Sequence, residues 1–229
     1  MFTLFIVISG STTIQRPAFP GSPYGRAVFA TLVEKGARAH LAPVAPGTLK
    51  SQPHISRHPF GRVPVLEHDG ALLYETQAIL RYLDRILPQP ALTPAEPRAA
   101  ARMDQVMNVC DWYLFNGVNN VIGFQRIIRP RLLGEPTDEA AIAGAMPQAR
   151  AAFNELSRLL GGGSYLAGED ATLADIMVAP QLDFLAATPE WEPLAAPVPN
   201  LVSWLARMNT RERFKATTME RIAELANAA

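Results

Sequence analysis

The chain has 229 residues with 21 Lys and Arg against 21 Asp and Glu, so it carries no formal net charge and shows no basic cluster for nucleic acid or anionic lipid. With 48% hydrophobic residues it can bury a core, and its length suits two modest domains. A single cysteine, Cys110, excludes an internal disulfide framework and multi-cysteine metal sites, which suits a reducing cytoplasm. The histidines suggest no metal site either, leaving small molecules or another protein as partners.

In chain order, residues 2–8 form an apolar, β-branched run that reads as a fully buried first strand. No Lys or Arg precedes it, and it falls well short of the roughly 20 apolar residues a membrane span needs, so a soluble, unprocessed protein is expected. Residues 9–21 turn to Gly, Ser, Thr and Pro and read as a loop. Helix periodicity then starts with Ser22 as cap and Pro23 in the first turn, and ends at Glu34-Lys35-Gly36. A second strand is expected over 41–44, followed by a polar segment that carries Lys50 and ends in His58-Pro59-Phe60-Gly61.

Residues 63–67 read as a strand with Pro64 at its start, Asp69-Gly70 as a two-residue hairpin turn, and 71–74 as the returning strand. A proline there belongs on an edge or in a turn, where a cis bond becomes plausible. Glu75 and Thr76 stand where a helix begins, and Ile79, Leu80, Leu83 and Leu87 give its apolar face before Pro88. The two residues either cap this helix or, beside its free N–H groups, hold a small ligand.

Four prolines mark 88–97 as a linker, and the remainder is helical in pattern. Met103, Val106, Met107, Cys110 and Leu114 share one face, which makes Cys110 a core thiol. Trp112, Tyr113, Phe115 and Phe124 fall on other faces, as core or as lining for an apolar pocket. Thr137 opens another helical pattern running to Leu160, which Pro147 with Gly144 is expected to kink or split. Thr172 and Asp175 have the spacing of a capping box, and helices are expected from Pro199 to Met208 and over 211–225.

Val-Pro-Val-Leu, Asp-Gly, Tyr-Glu-Thr-Gln-Ala-Ile and Tyr-Leu-Asp-Arg resemble the second half of the thioredoxin-like domain of cytosolic glutathione transferases. Ser-Pro-Tyr-Gly-Arg-Ala-Val resembles their first helix, and the Thr-Leu-Ala-Asp box the start of their central C-terminal helix. The resemblance implies a thioredoxin-like α/β domain over 1–87, a linker over 88–97 and an all-α domain over 98–229. It implies glutathione as co-substrate and a small hydrophobic electrophile as second substrate. In the family the Val-Pro bond is cis and holds the cysteinyl part, and the Glu-Ser or Glu-Thr pair binds the γ-glutamyl end; the matching positions are Val63, Pro64, Glu75 and Thr76. Lys50 matches a basic residue that meets the glycyl carboxylate, although an exposed lysine is ordinarily only solvated, and Arg62 completes the expected binding set.

Ser22 stands at the place of the catalytic serine of theta- and phi-like classes, although it can equally be only a cap. The loop over 9–21 is longer than the family's, which makes Ser11, Thr12, Thr13 and Tyr24 rivals for the hydroxyl. Phe60 matches an aromatic that several classes insert into a partner subunit, which implies a homodimer, although it can also merely cover its own strand. The expectation is a cytoplasmic glutathione transferase acting in detoxification. The alternatives are a binding or scaffold protein without turnover, or a glutathione-dependent isomerase, dehalogenase or peroxidase.

Overall fold

The structure, a computed structural model, describes residues 1–6 and 21–227, so the end of the expected first strand and Ser11, Thr12 and Thr13 lie outside the described residues. The chain divides into two compact units, Met1–Pro90 with Arg211–Ala229, and Ala91–Thr210.

The first unit is built on a four-stranded sheet of order β2-β1-β3-β4. Strand β1 (Phe2–Ile6) pairs in parallel with β2 (Ala39–Pro43) and antiparallel with β3 (Val65–His68), which turns back into β4 (Ala71–Tyr74). Asp69 and Gly70 both take positive φ, 49° and 83°, the geometry that a two-residue hairpin needs to match strand twist. Helix α1 (Pro23–Glu34) ends in a Schellman motif around Gly36, whose φ is 65°: Ala37 N–H donates to Leu32 O and Gly36 N–H to Val33 O. One further turn of helix, α2 (His54–Arg57), interrupts the segment read as polar loop, and α3 (Thr76–Ile86) follows the hairpin.

The first strand is not buried on both faces, contrary to expectation. Leu4 and Ile6 are fully enclosed on the side of α1, whereas Thr3 and Phe5 on the other side are half-buried. On that second face the Arg57 guanidinium of α2 lies 4.4 Å from the Phe5 ring, while on the first face Phe2 stacks with His68, its partner across the strands. Lys35, at the end of α1, is buried with its ammonium 2.5 Å from Asp84 on α3, which ties the two helices together.

The expected last helix is two: α9 (Glu212–Lys215) and α10 (Met219–Asn227). The break follows from local bonding, since the Thr217 hydroxyl donates to Phe214 O and Thr218 Oγ1 accepts from Arg221 N–H. Phe214 meanwhile lies under the Arg26 guanidinium, and Arg211 pairs with Glu34, so α1 holds this segment in the first unit.

The second unit is all helix. Helix α4 (Pro97–Val109), capped by Glu96 through the N–H groups of Arg98 and Ala99, continues as a wider π-wound helix over Cys110–Leu133. Its buried apolar side chains accordingly recur every fourth or fifth residue, at 110, 114, 118, 122 and 127. Cys110 is wholly buried, and burial, with Asp111 adjacent, pushes its thiol pKa well up, so it is the inert core thiol expected.

Helix α5 (Glu139–Leu160) is capped by Asp138 rather than Thr137 and runs unsplit through Pro147. A proline inside a helix costs about 3 kcal/mol. Ile142, Ala145, Ala149, Phe153 and Leu156 keep one buried stripe in phase across it, and each large side chain buried contributes about 1.5–3 kcal/mol, so packing prevails. Helix α6 (Leu173–Ala186) starts at the expected capping box, and α7 (Trp191–Ala195) and α8 (Pro199–Thr210) complete the unit. Asp175 is fully buried and accepts from Thr172 N–H and Oγ1, Leu166 N–H and Trp204 Nε1, so the box also fixes the preceding turn and α8.

Candidate active site

The strand register gathers the candidate residues at one end of the sheet. Phe5 pairs with Val65, and Val65 with Tyr74, so the residues just beyond that rung are Val63-Pro64 on one strand and Glu75-Thr76 on the next. The first turn of α1 reaches the same end. A Cβ on Gly25 would sit 3.0 Å from the Ile6 side chain, a close approach that sets α1, and Ser22 with it, against the last described residue of β1.

Each side chain has a definite local setting. Ser22 is half-buried and caps α1, its Oγ accepting the Gly25 N–H at 3.2 Å. A hydroxyl that accepts one bond still has its own proton to donate. The Val63–Pro64 bond is cis and Pro64 is buried. Glu75 takes φ 68° and ψ 114°, a sparsely populated region for a residue with a side chain. Its exposed carboxylate makes no capping bond to α3, so it does not serve as the cap that was one of its two readings. Thr76 is the buried first residue of α3.

Lys50 and Arg62 are exposed, on either side of α2. Gly61 brings their two stretches together: its φ is 60°, and a Cβ there would meet Leu49 O at 2.8 Å and the Lys50 side chain at 3.0 Å. Tyr24 lies in the first turn of α1, and Phe60 is 67% exposed with its ring edge-on to His58 and Tyr74. Trp112 and Tyr113 are exposed on the second unit, and Phe115 and Phe124 are half-buried.

Sequence reasoning missed two side chains, His54, the first residue of α2, and His58, the extended residue that caps its end, and both are almost wholly buried. His54 Nε2 lies 2.8 Å from Arg62 O, and His58 Nδ1 accepts the Phe60 N–H. Burial, with His54 and Arg62 nearby, lowers the His58 pKa below its ordinary value, so its ring stays neutral against Tyr74, 4.8 Å away. Their separation of four residues was visible, but nothing local showed that both are buried. Among the described residues no group of His, Cys, Asp or Glu is arranged to hold a metal, and no helix is long and apolar enough to cross a membrane.

The fold defines a thioredoxin-like domain joined to a helical one, with Val63-Pro64 and Glu75-Thr76 side by side at the sheet end. Family models agree: that of the glutathione S-transferase N-terminal domain matches residues 17–91, and that of the C-terminal domain residues 139–207. A glutathione S-transferase from Hyoscyamus muticus is 31% identical over 194 residues, covering 83% of this chain and 90% of that protein. The solved structure of glutathione S-transferase III in its apo form superposes with a TM-score of 0.78 at 28% identity, over 94% of each chain. Glutathione transferase F7 from Populus trichocarpa gives a TM-score of 0.81 at 24% identity over 99% of this chain and all of that one, a likeness of fold. A further neighbour, glutathione S-transferase-I, was solved with lactoylglutathione bound, at 25% identity and a TM-score of 0.77, over 98% of this chain and 99% of that one. The chain belongs to the glutathione S-transferase family, enzymes that take glutathione as co-substrate.

Proposed function

We propose that the chain is a serine-type, theta- or phi-like glutathione transferase whose glutathione site is the sheet end built by Ser22, Lys50, Arg62, Val63-Pro64 and Glu75-Thr76. The observation that carries this reading is the Val65–Tyr74 rung, which sets the Val63-Pro64 backbone beside the Glu75-Thr76 corner. Glutathione lies extended across that corner. Glu75 and the first N–H groups of α3 take the γ-glutamyl end, one the charged ammonium and the others the carboxylate. Val63 meets the cysteinyl unit, and Lys50 with Arg62 supplies positive charge for the glycyl carboxylate.

Glutathione brings the nucleophilic sulfur, and the protein holds the thiolate. The Ser22 hydroxyl donates to it while still accepting from Gly25, and the N-terminus of α1 adds its positive end. The thiol proton passes to solvent, the sulfur forms its bond to the electrophilic carbon, and the leaving group departs with the electrons of the bond it breaks. The second substrate is a small hydrophobic electrophile, which apolar side chains would hold. Trapping electrophiles in this way is a detoxifying chemistry, and a cytoplasmic setting suits a protein whose one cysteine is a buried thiol.

A homodimer with Phe60 as its anchor completes the proposal. An aromatic ring 67% exposed and braced by Tyr74 and His58 is preorganised to fill a partner's pocket. The deciding experiment is calorimetric titration with glutathione, followed by turnover of an aromatic chloride and of a hydroperoxide with and without it. Absence of glutathione binding overturns the reading, and binding without turnover of either electrophile turns it toward a scaffold role.

A further inference from the structure

Only 2% of His54 is exposed, although Pro53 and Ser56 beside it are exposed. Its Nε2 lies 2.8 Å from Arg62 O. A carbonyl oxygen only accepts, so Nε2 carries a proton and donates it. Nδ1 is buried and has no hydrogen-bond partner among the described residues. An apolar side chain would fill such a place without leaving a polar atom unmet, so the bond to Arg62 is what this imidazole contributes there.

The acceptor is placed to matter. Arg62 C=O and Val63 N–H belong to one planar peptide unit, so a donor that fixes the direction of the carbonyl also fixes the direction of the N–H. The next peptide unit is the cis Val63–Pro64 bond, and β3 begins at Val65. Helix α2 is itself anchored, because Arg57 lies over the Phe5 ring, and His58 packs on Tyr74 and accepts at its carbonyl from Gly61 N–H. His54 thus joins an anchored helical turn to the one loop carbonyl that precedes Val63.

We propose that His54 is a positioning residue for glutathione: its Nε2–H holds the Arg62–Val63 peptide so that the Val63 N–H is already aimed at the cysteinyl unit. The inference rests on the glutathione site assigned above. Preorganising a backbone donor reduces the ordering that binding would otherwise require, so its loss appears in affinity for glutathione and not in affinity for the electrophile.

The test compares His54→Phe, which fills the space without a donor, with His54→Gln, whose amide nitrogen reaches as far as Nε2. Calorimetric titration with glutathione should give a dissociation constant raised about fivefold in His54→Phe and within about twofold of wild type in His54→Gln. The KM for the electrophile at saturating glutathione should be unchanged in both. Should His54→Phe fail to fold, His54→Asn, too short to reach the carbonyl, takes its place. Wild-type glutathione affinity in His54→Phe, or equal loss in the Gln and Phe variants, overturns the proposal. Glu75→Ala run alongside separates the causes: if it weakens binding and His54→Phe does not, His54 alone is misassigned, and if neither does, the glutathione site falls with it.

Discussion

Replacing Ser22 tests the chemistry most directly, because its hydroxyl has two tasks that different substitutions separate. As cap of α1 it satisfies Gly25 N–H, and Ser22→Ala should cost about 1 kcal/mol of stability, whereas glycine at a cap costs only a few tenths. As donor to the thiolate it carries a larger load. An unperturbed thiol has a pKa of about 8.5, and lowering it by roughly two units requires about 3 kcal/mol of preference for the anion. A hydroxyl donor to an anion contributes about 1.5–3 kcal/mol and the helix N-terminus about 0.3–1, so the two together suffice and the helix alone does not. Ser22→Gly should therefore stay nearly as stable as wild type, while the pKa of bound glutathione rises by about one to two units. Turnover below that pKa should fall by about tenfold to a hundredfold. Thiolate absorbance of the bound glutathione, titrated against pH, reads the shift, and chemical denaturation reads the cap. An unchanged thiol pKa in Ser22→Gly would refute the catalytic role and leave Ser22 as a cap; a rise in Ser11→Ala or Thr12→Ala instead would move the role to the preceding loop.

Glu75→Ala removes a charged partner at the start of α3 and should lower glutathione affinity at least tenfold by calorimetry, from about 1.5–3 kcal/mol of lost interaction; unaltered binding would sink the assignment. Phe60→Ser should dissociate the proposed dimer, since a two-fold interface loses both anchors at once, and sedimentation of a wild-type monomer at micromolar concentration would contradict it. Asp175→Ala strips the acceptor from four buried donors and should destabilise the fold by more than about 3 kcal/mol in urea unfolding. His58 predicts a pH effect of defined sign. Its folded pKa lies below the ordinary 6.5, so the unfolded chain binds the extra proton first, and the stability it contributes is full above about pH 6.5 and lost as the pH falls through the folded value. Unfolding measured across that window should show a slope that His58→Asn removes.

Much of the first unit was legible in residues 59–84, because each local signal there has one cheap geometry. Asp69-Gly70 tolerates the two positive φ values of a tight hairpin, and the rung that follows from it sets Pro64 against Glu75 whatever the rest of the chain does. The Thr172 and Asp175 box was legible for the same reason, since a cap is satisfied within four residues. What the sequence could not decide is how much of an element others cover. Phe5 reads like Leu4, yet Leu4 is wholly buried and Phe5, on the opposite face of β1, is only half-buried. Pro147 reads as a break, yet a buried stripe from Ile142 to Leu156 offsets its cost. His54 and His58 read as loop residues, and only the folding of α2 over Phe5 and Tyr74 buries them. Backbone geometry is set by short-range sterics and hydrogen bonds, so the sequence by itself determined it; burial is a sum over residues distant in the chain, and only the tertiary structure decided it.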